Sequence, residues 1–372
     1  MMLRSGLQID SRNAQTQHGN ATPSIKQRSP VLESMVSNEK RSISEPSMQQ
    51  LSQKVRVISQ ESSWWELFGV DWTIITFWEI SFFVGVWLLS FNSRLYFAVG
   101  MLLMGLNYGM IKTKGSHLAA HNALCHSKRW GKVWKHLFLE FQGTFSVDAA
   151  CDIHIKVHHP YTNIIGLGDS STWRAPYLPC YIYMFIAPLV LPLLTPVVGL
   201  GYLVQERRWR RLSQCSVLAF LGLASQTLLV MAAAKLSAVK ALLVLLLSRC
   251  VMEIPYLHIN IFQHIGLPMY DKNNKPPRLH LMANGALNLT RTWLLDLNFG
   301  HSLINCHTEH HLFPQLSDNM CLKIKPAVQE YLQRYGLPYH EKDYTERLHY
   351  FIKNYKDLMV KMPPITEFVG IQ

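Results

Sequence analysis

Long apolar segments alternate with polar stretches along this chain. Five segments are largely apolar, at 72–91, 95–113, 181–204, 215–234 and 238–259. Because a helix needs about 20 apolar residues to cross a bilayer, several of these segments are long enough to span a membrane. Asn92 and Ser93 separate the first two segments and predict a turn between two antiparallel helices.

The polar stretches complete the predicted organisation. Residues 1–62 are rich in Ser, Gln and Asn, and this composition predicts a disordered cytosolic tail. A membrane domain is expected over 63–340 and a cytosolic segment over 341–372. The predicted fold class is therefore an all-α integral membrane protein, in which four transmembrane helices carry a cytosolic helical cap.

The positions of the histidines restrict which apolar segments cross. Histidines are concentrated at 117–159 and at 260–311, and an even number of crossings must separate these regions if they form one site. Three apolar segments lie between them, so one does not cross. We expect 238–259 to leave the membrane and cover the site, while the other four segments cross. The alternative is a re-entrant hairpin at 181–204, which would keep the arginines of 207–211 in the cytosol, where such residues usually lie.

Composition and charge agree with a membrane protein. Of the 372 residues, 49% are hydrophobic and only 16% are charged, whereas soluble domains average about 25% charged. The net charge is +12, and basic clusters beside apolar segments indicate the cytosolic face and its lipids. These basic residues include Lys112, Lys114, Lys128, Arg129 and Lys132. No basic stripe alternates with aromatic residues, so nucleic acid is not an expected partner.

The chain contains 17 histidines, and most of them fall into four short motifs. The motifs are HLAAHNALCH, HIKVHHP, NIFQH and HTEHH. Residues three or four apart share a helix face, so His154 and His158, for example, should point together. Each neutral imidazole offers one ligand nitrogen, and burial of so many rings without partners would be unfavourable. The motifs therefore predict a His-rich metal site in the cap.

The number of histidines bears on the number of metal ions. Nine or more histidines exceed the ligand set of one zinc ion, which takes four ligands or three with a water, so a dinuclear site is expected. Imidazole suits iron, copper and zinc alike, and ligand type alone does not choose. The seven cysteines include no Cys-x-x-Cys pair and no HExxH motif occurs, which argues against a zinc ribbon, a zinc protease and, less directly, copper.

Three of these motifs resemble the histidine boxes of membrane fatty acid desaturases, in the forms His-x3-His, His-x3-His-His and His-x2-His-His. NIFQH is similar to the Asn-x3-His element that supplies an extra ligand in that family, and the resemblance covers about residues 64–340. It implies a di-iron oxidoreductase of lipid metabolism, in the endoplasmic reticulum membrane, with both termini cytosolic. Such an enzyme uses O2 and two electrons to introduce a double bond into an acyl-lipid or acyl-CoA substrate.

The resemblance also implies roles for individual residues. The iron ligands would be His117, His121, His154, His158, His159, His264, His307, His310 and His311. Asn260 would act through a metal-bound water, and His126 is a spare candidate for the first box. Acids are expected to accept the N–H groups of the ligand rings. The candidates are Asp152, Asp169, Glu253 and Glu309.

Two features distinguish this chain from many relatives. The second box has three residues before its His pair where many relatives have two, which leaves the role of His154 open. The chain has no HPGG haem motif, so electrons are expected from a separate cytochrome b5 and its reductase. The alternative functions are a related di-iron membrane hydroxylase or sphingolipid-modifying oxygenase, and a non-catalytic metal or haem protein.

Overall fold

The computed structural model describes residues 45–167 and 177–360, and helices dominate it. In this part of the chain, four helices are long and apolar enough to cross a membrane, which agrees with the predicted number. They are Trp65–Leu88, Arg94–Ala120, Ile182–Gln205 and Trp209–Ala234. The all-α fold class is therefore confirmed.

The elements follow one another with few long connections. The earlier helices are α1 (Met48–Gln60), α2 (Val70–Leu88), α3 (Arg94–Met110), α4 (Ser116–Ala120), α5 (Lys128–Lys135), α6 (Val147–Ala149) and α7 (His159–Tyr161). The later helices are α8 (Leu191–Gln205), α9 (Trp209–Ala234), α10 (Ala238–Arg249), α11 (Glu253–Phe262), α12 (Arg278–Gly285), α13 (Trp293–Phe299), α14 (His307–Leu312), α15 (Asp318–Arg334) and α16 (Tyr344–Val360). Wider π-helical turns lie at Trp65–Gly69, Ile111–Gly115, His136–Gln142, Ala150–His158 and Ile182–Ile186, and short 3-10 turns at Ala187–Val190, Lys272–Asn274 and His301–Leu303. One parallel strand pair joins β1 (Leu287–Leu289) to β2 (His340–Lys342).

α1 corrects part of the tail prediction. The helix begins after Ser47, whose Oγ accepts the N–H of Gln49. It buries Leu51 and Val55 in a core that includes residues of α15. The prediction of disorder is therefore wrong for 48–60, because two apolar residues four apart give a mostly polar helix one buried stripe. Residues 1–44 of the predicted tail lie outside the described residues.

α2 and α3 form the predicted hairpin. Ser93 caps α3 by accepting the N–H of Tyr96. The two helices approach closely where Gly85 faces Gly100, because a Cβ atom on Gly100 would lie 2.6 Å from the carbonyl oxygen of Gly85. Glycine at both positions therefore allows the backbones to touch. The two ends of the hairpin serve as reference points for the rest of the molecule. The end with the turn at Asn92 and Ser93 is called the far face, and the opposite end, where the second helix reaches His117, is called the histidine face.

The ends of Ile182–Gln205 both lie on the histidine face. At its start, the carbonyl oxygen of Met184 lies 3.1 Å from Nε2 of His258, six residues before His264. At its end, the Tyr202 hydroxyl donates to Asp152, two residues before His154. The intervening chain bends through a 3-10 turn before α8. These contacts agree with the re-entrant alternative for this segment.

α9, α10 and α11 connect the two faces instead. Arg211, at the start of α9, forms ion pairs with Glu140 and Asp148 on the histidine face. Val230, near its other end, packs with Leu89 and other residues at the far end of the hairpin. α10 and α11 then return over 238–262, which at 1.5 Å per residue is long enough to cross a bilayer. These contacts bring Arg208 and Arg211 to the histidine face and favour the re-entrant alternative, while the choice of the non-crossing segment stays a prediction.

Two lysines used to orient the chain have other roles. Lys112 is ion-paired with Glu253, and Lys114 with Asp71 and Asp318, and both lysines are largely or wholly buried. These two residues therefore do not face lipid headgroups. The exposed residues Lys128, Arg129 and Lys132 still mark the histidine face as basic.

Candidate metal centre

Nine histidines converge on the histidine face as two adjacent groups. Within each group the ligand nitrogens lie within 4.8 Å of one another. Group A consists of His117, His121, His154, His159 and His310, and group B of His158, His264, His307 and His311. The groups touch, since the ring centroids of His159 and His311 are 4.5 Å apart. These nine residues are the ones that the resemblance implies as ligands.

Helix geometry explains how neighbours in sequence separate between the groups. His154 and His158 lie in the π-helical segment Ala150–His158, where residues five apart rather than four share a face. His154 therefore points with His159, and their Nε2 atoms lie 3.2 Å apart. His154 also points with His158 as predicted, since their rings stack with centroids 5.2 Å apart, but the two residues belong to different groups. In α14, His307 and His311 share group B at a spacing of four, while His310 points to group A.

The ring nitrogens have the arrangement expected of metal ligands. Nε2 of His307 lies 2.7 Å from Nε2 of His264, and Nε2 of His310 lies 3.1 Å from Nε2 of His159. Three further Nε2 atoms are buried without any partner in the described residues, those of His117, His121 and His311. Crowded and unpartnered buried nitrogens are unfavourable, and a metal ion in each group would satisfy them. The residues therefore fit two metal ions.

Burial keeps the imidazoles of this centre neutral. It holds the pKa of His159, His310 and His311 well below the usual range, and neighbouring imidazoles lower each pKa further. A neutral imidazole has a free nitrogen lone pair, which is the form that binds a metal. The pKa of His264 is lowered to about 4 in the same way, chiefly by burial.

Backbone carbonyls and hydroxyls orient several of the rings. Nδ1 of His264 lies 2.8 Å from the carbonyl oxygen of Gly285, and Nδ1 of His307 lies 3.0 Å from that of Ser302. The Thr162 hydroxyl lies 3.3 Å from Nδ1 of His311. With Nδ1–H donated to oxygen, Nε2 of such a ring is free to bind metal. The sequence reveals no signal for these partners, because any residue can supply a carbonyl.

The acids that were predicted to accept the N–H groups of the ligand rings make other contacts. Both carboxylate oxygens of Glu253 bind Lys112, and Asp152 binds Lys156, Tyr202 and Arg208. The prediction that these two acids orient ligand rings is therefore wrong, and Asp169 lies outside the described residues.

Glu309 is buried between ligands of α14 and has its own partners. It accepts hydrogen bonds from the Tyr339 hydroxyl at 2.7 Å and from the Asn288 side chain at 3.0 Å. Asn288 also accepts the N–H of Thr308. Burial raises the pKa of Glu309 to about 7. These bonds fix the position of α14 rather than the orientation of one ring, so the predicted role is wrong for this acid as well.

A buried ion-pair network joins the first histidine motif to the residues after the last. Lys114 lies 2.7 Å from Asp318, in the segment LSDNM that follows the HTEHH motif, and 2.5 Å from Asp71. Asp318 also accepts the N–H of Ser302, whose hydroxyl lies 3.4 Å from Nδ1 of His117. Sequence reasoning missed this network, although paired charges are expected where a lysine is fully buried.

The remaining candidates occupy different positions. The ring of His126 packs edge-on against Phe68, with centroids 4.7 Å apart, and His126 belongs to neither group. Asn260 lies one helical turn before His264 and lines a cavity of about 290 Å³ beside the centre, together with Ser116. The Asn260 side chain donates to the carbonyl oxygen of Tyr256 at 2.7 Å, so its role through water stays a prediction, whereas His126 does not have the location of a ligand.

Comparisons with known proteins agree with this geometry. The cow protein named fatty acid desaturase 6 is 47% identical over 324 residues, which is 87% of this chain and 94% of that protein. The human protein of the same name is 45% identical over 325 residues, covering 87% of this chain and 91% of that protein. The acyl-lipid (8-3)-desaturase of Rebecca salina is 29% identical over 85 residues, 23% of this chain and 20% of that protein. The fatty acid desaturase family model matches residues 92–343, which include all nine histidines, and this chain belongs to that family of oxidoreductases.

Proposed function

We propose that this protein is a di-iron fatty acyl desaturase that uses O2 and electrons from a separate cytochrome b5 and its reductase. The observation that carries the proposal is the convergence of nine imidazoles, without a carboxylate among them, into two touching groups of five and four. Iron bound by these groups would activate O2 to an oxidant able to break an unactivated C–H bond. Asn260 would hold a water at group B.

The surroundings of the histidines support this function. The cavity beside the centre is lined mostly by apolar side chains, including Leu139, Leu191, Leu194 and Val198. An acyl chain in this cavity would place carbon atoms next to Ser116, which precedes His117, and next to Asn260. The chain's own residues would thus position the substrate and exclude water, which are the tasks of the protein in cofactor enzymes.

The contacts described above support one membrane arrangement. In our proposal, α2, α3, α9 and the pair α10–α11 cross the endoplasmic reticulum membrane, and Ile182–Gln205 is re-entrant. Both termini and all nine histidines then lie in the cytosol. The arginines of 207–211 lie there as well, as the positive-inside trend requires.

The test is metal and product analysis of the purified full-length protein. We expect about two iron ions per chain, no haem absorbance, and a new double bond in acyl chains of cells that express the protein. A hydroxylated product would identify the related oxygenase instead. A protein that binds no iron, or that yields no modified lipid when cytochrome b5 is supplied, would contradict the proposal.

A further inference from the structure

One wall of the apolar cavity carries a charge. Lys112 is the only cation among the residues that line it in the described structure, and its ammonium group contacts both carboxylate oxygens of Glu253, at 2.9 and 2.8 Å. The ammonium group also lies 3.8 Å from the centre of the Tyr256 ring. Lys112 is one helical turn before Ser116, so this ion pair lies one turn farther into the bundle than the metal centre.

A second buried charge lies behind the pair. The guanidinium of Arg249 lies 4.5 Å from the centre of the Tyr108 ring and donates to the Gln226 side chain at 3.1 Å and the Gln142 carbonyl at 3.3 Å. Arg249 is 2% exposed, and among the described residues Glu253 pairs with Lys112 rather than with Arg249. Lys112, Glu253 and Arg249 therefore form a charged layer between α3, α9 and the junction of α10 and α11.

An acyl chain cannot pass this layer at an acceptable cost. Burial of one more methylene gains much less free energy than the loss of one partner of a buried ion pair costs. A chain that reached Lys112 would stop there rather than separate the pair. Because a polar headgroup cannot enter the bundle, the end that reaches the layer is the methyl end.

We propose that the Lys112–Glu253 pair determines substrate specificity by fixing how many carbons the acyl chain can extend from the metal centre toward its methyl end. This inference rests on the proposed function, because it requires the acyl chain to occupy the cavity beside the histidines. In this inference a buried charge pair, rather than the size of a side chain, limits the length of the acyl chain that can bind. Substrates that differ only in carbons on the methyl side of the reacting position should therefore be discriminated.

The test replaces the pair as a unit. In the double variant Lys112→Met with Glu253→Leu, both charges are lost together, and such apolar replacements of a buried pair often leave a protein folded. The matched control is Lys342→Met with Glu346→Leu, which removes an exposed ion pair at 2.6 Å on the surface of the cap. Full-length proteins are given equal amounts of two acyl substrates that differ by two methyl-side carbons, and the ratio of desaturated products is measured.

We expect the ratio of longer to shorter product to rise about tenfold in the double variant, since one methylene in an apolar pocket changes selectivity by roughly 10- to 200-fold. The control should keep the wild-type ratio. An unchanged ratio in a double variant that binds wild-type amounts of metal would overturn the inference while leaving the desaturase function intact. Absence of product from the wild type would instead overturn the function itself.

A second variant decides the matter if the double variant does not fold. Lys112→Arg keeps the ion pair but extends the side chain toward the cavity. It should therefore shift the products toward the shorter substrate and retain wild-type metal content. The same product ratio as wild type in this variant would count against the inference.

Discussion

His310 and His311 are neighbours in sequence but belong to different groups, which makes two single substitutions informative. His310→Ala reduces group A from five histidines to four, and His311→Ala reduces group B from four to three. Loss of a residue that only orients a ligand costs about 10- to 100-fold in metal affinity, and loss of a ligand should cost more. Each tenfold loss corresponds to about 1.4 kcal/mol. Because group B is left with fewer imidazoles, His311→Ala should lose more metal than His310→Ala.

Two quantities are measured for each variant. One is the metal content of the purified protein at a limiting concentration of free iron, and the other is its desaturation activity. We expect about two ions per chain in the wild type, close to two in His310→Ala, and closer to one in His311→Ala, with activity lost in both variants. His126→Ala is the matched control and should keep both ions, because His126 lies against Phe68 outside the two groups. Greater loss of metal in His310→Ala than in His311→Ala would refute the reasoning from ligand number, and full activity of either variant would refute the metal assignment.

Four other predictions concern the fold, the N-terminal segment and the membrane arrangement. Leu51→Ala should lower the free energy of unfolding by about 2–4 kcal/mol, measured by chemical denaturation in detergent, because the Leu51 side chain is fully buried. Deletion of residues 1–44 should leave desaturation activity intact, and loss of activity in the truncated protein would show a role for that segment. Gly100→Leu should lower the melting temperature, because its side chain would meet the Gly85 carbonyl, whereas Gly201→Leu, with open space around it, should not. Single cysteines at 125–135, at 315–325 and at Arg207 should all label from the cytosol, and one at Asn92 from the lumen; labelling of Arg207 and Asn92 from the same side would refute the re-entrant segment.

Much of the centre could be predicted from sequence because its signal is local. Imidazoles spaced along short helices are visible without knowledge of the fold, and the nine histidines that the resemblance implies as ligands are the nine that form the two groups. The division into two groups was not visible, because it depends on the π-helical winding of Ala150–His158, which brings Nε2 of His154 to Nε2 of His159. The partners of the rings were also hidden, since the carbonyl groups of Gly285 and Ser302 carry no sequence signal.

The sequence left the path of the chain through the membrane open between two alternatives, for a related reason. Hydropathy measures whether a segment is apolar, and Ile182–Gln205 is as apolar as a crossing helix. Only its contacts reveal that both ends return to one face, and the arginines that follow it were the sole indication in the sequence. The network of Lys114, Asp71 and Asp318 was missed because its three members are far apart along the chain.

The arginines that follow Ile182–Gln205 would have a consequence for biosynthesis if that segment is re-entrant, as proposed. During insertion, Ile182–Gln205 is apolar enough to be translocated, and in the proposed topology Arg207, Arg208, Arg210 and Arg211 would oppose this by holding its end in the cytosol. Without these charges the segment could cross, and every later crossing would be inverted. His264 and the histidines of α14 would then be made in the lumen, while His117, His121 and His154 remained in the cytosol. In the proposed topology, a loop outside both histidine groups would thus determine during synthesis whether the two groups ever meet.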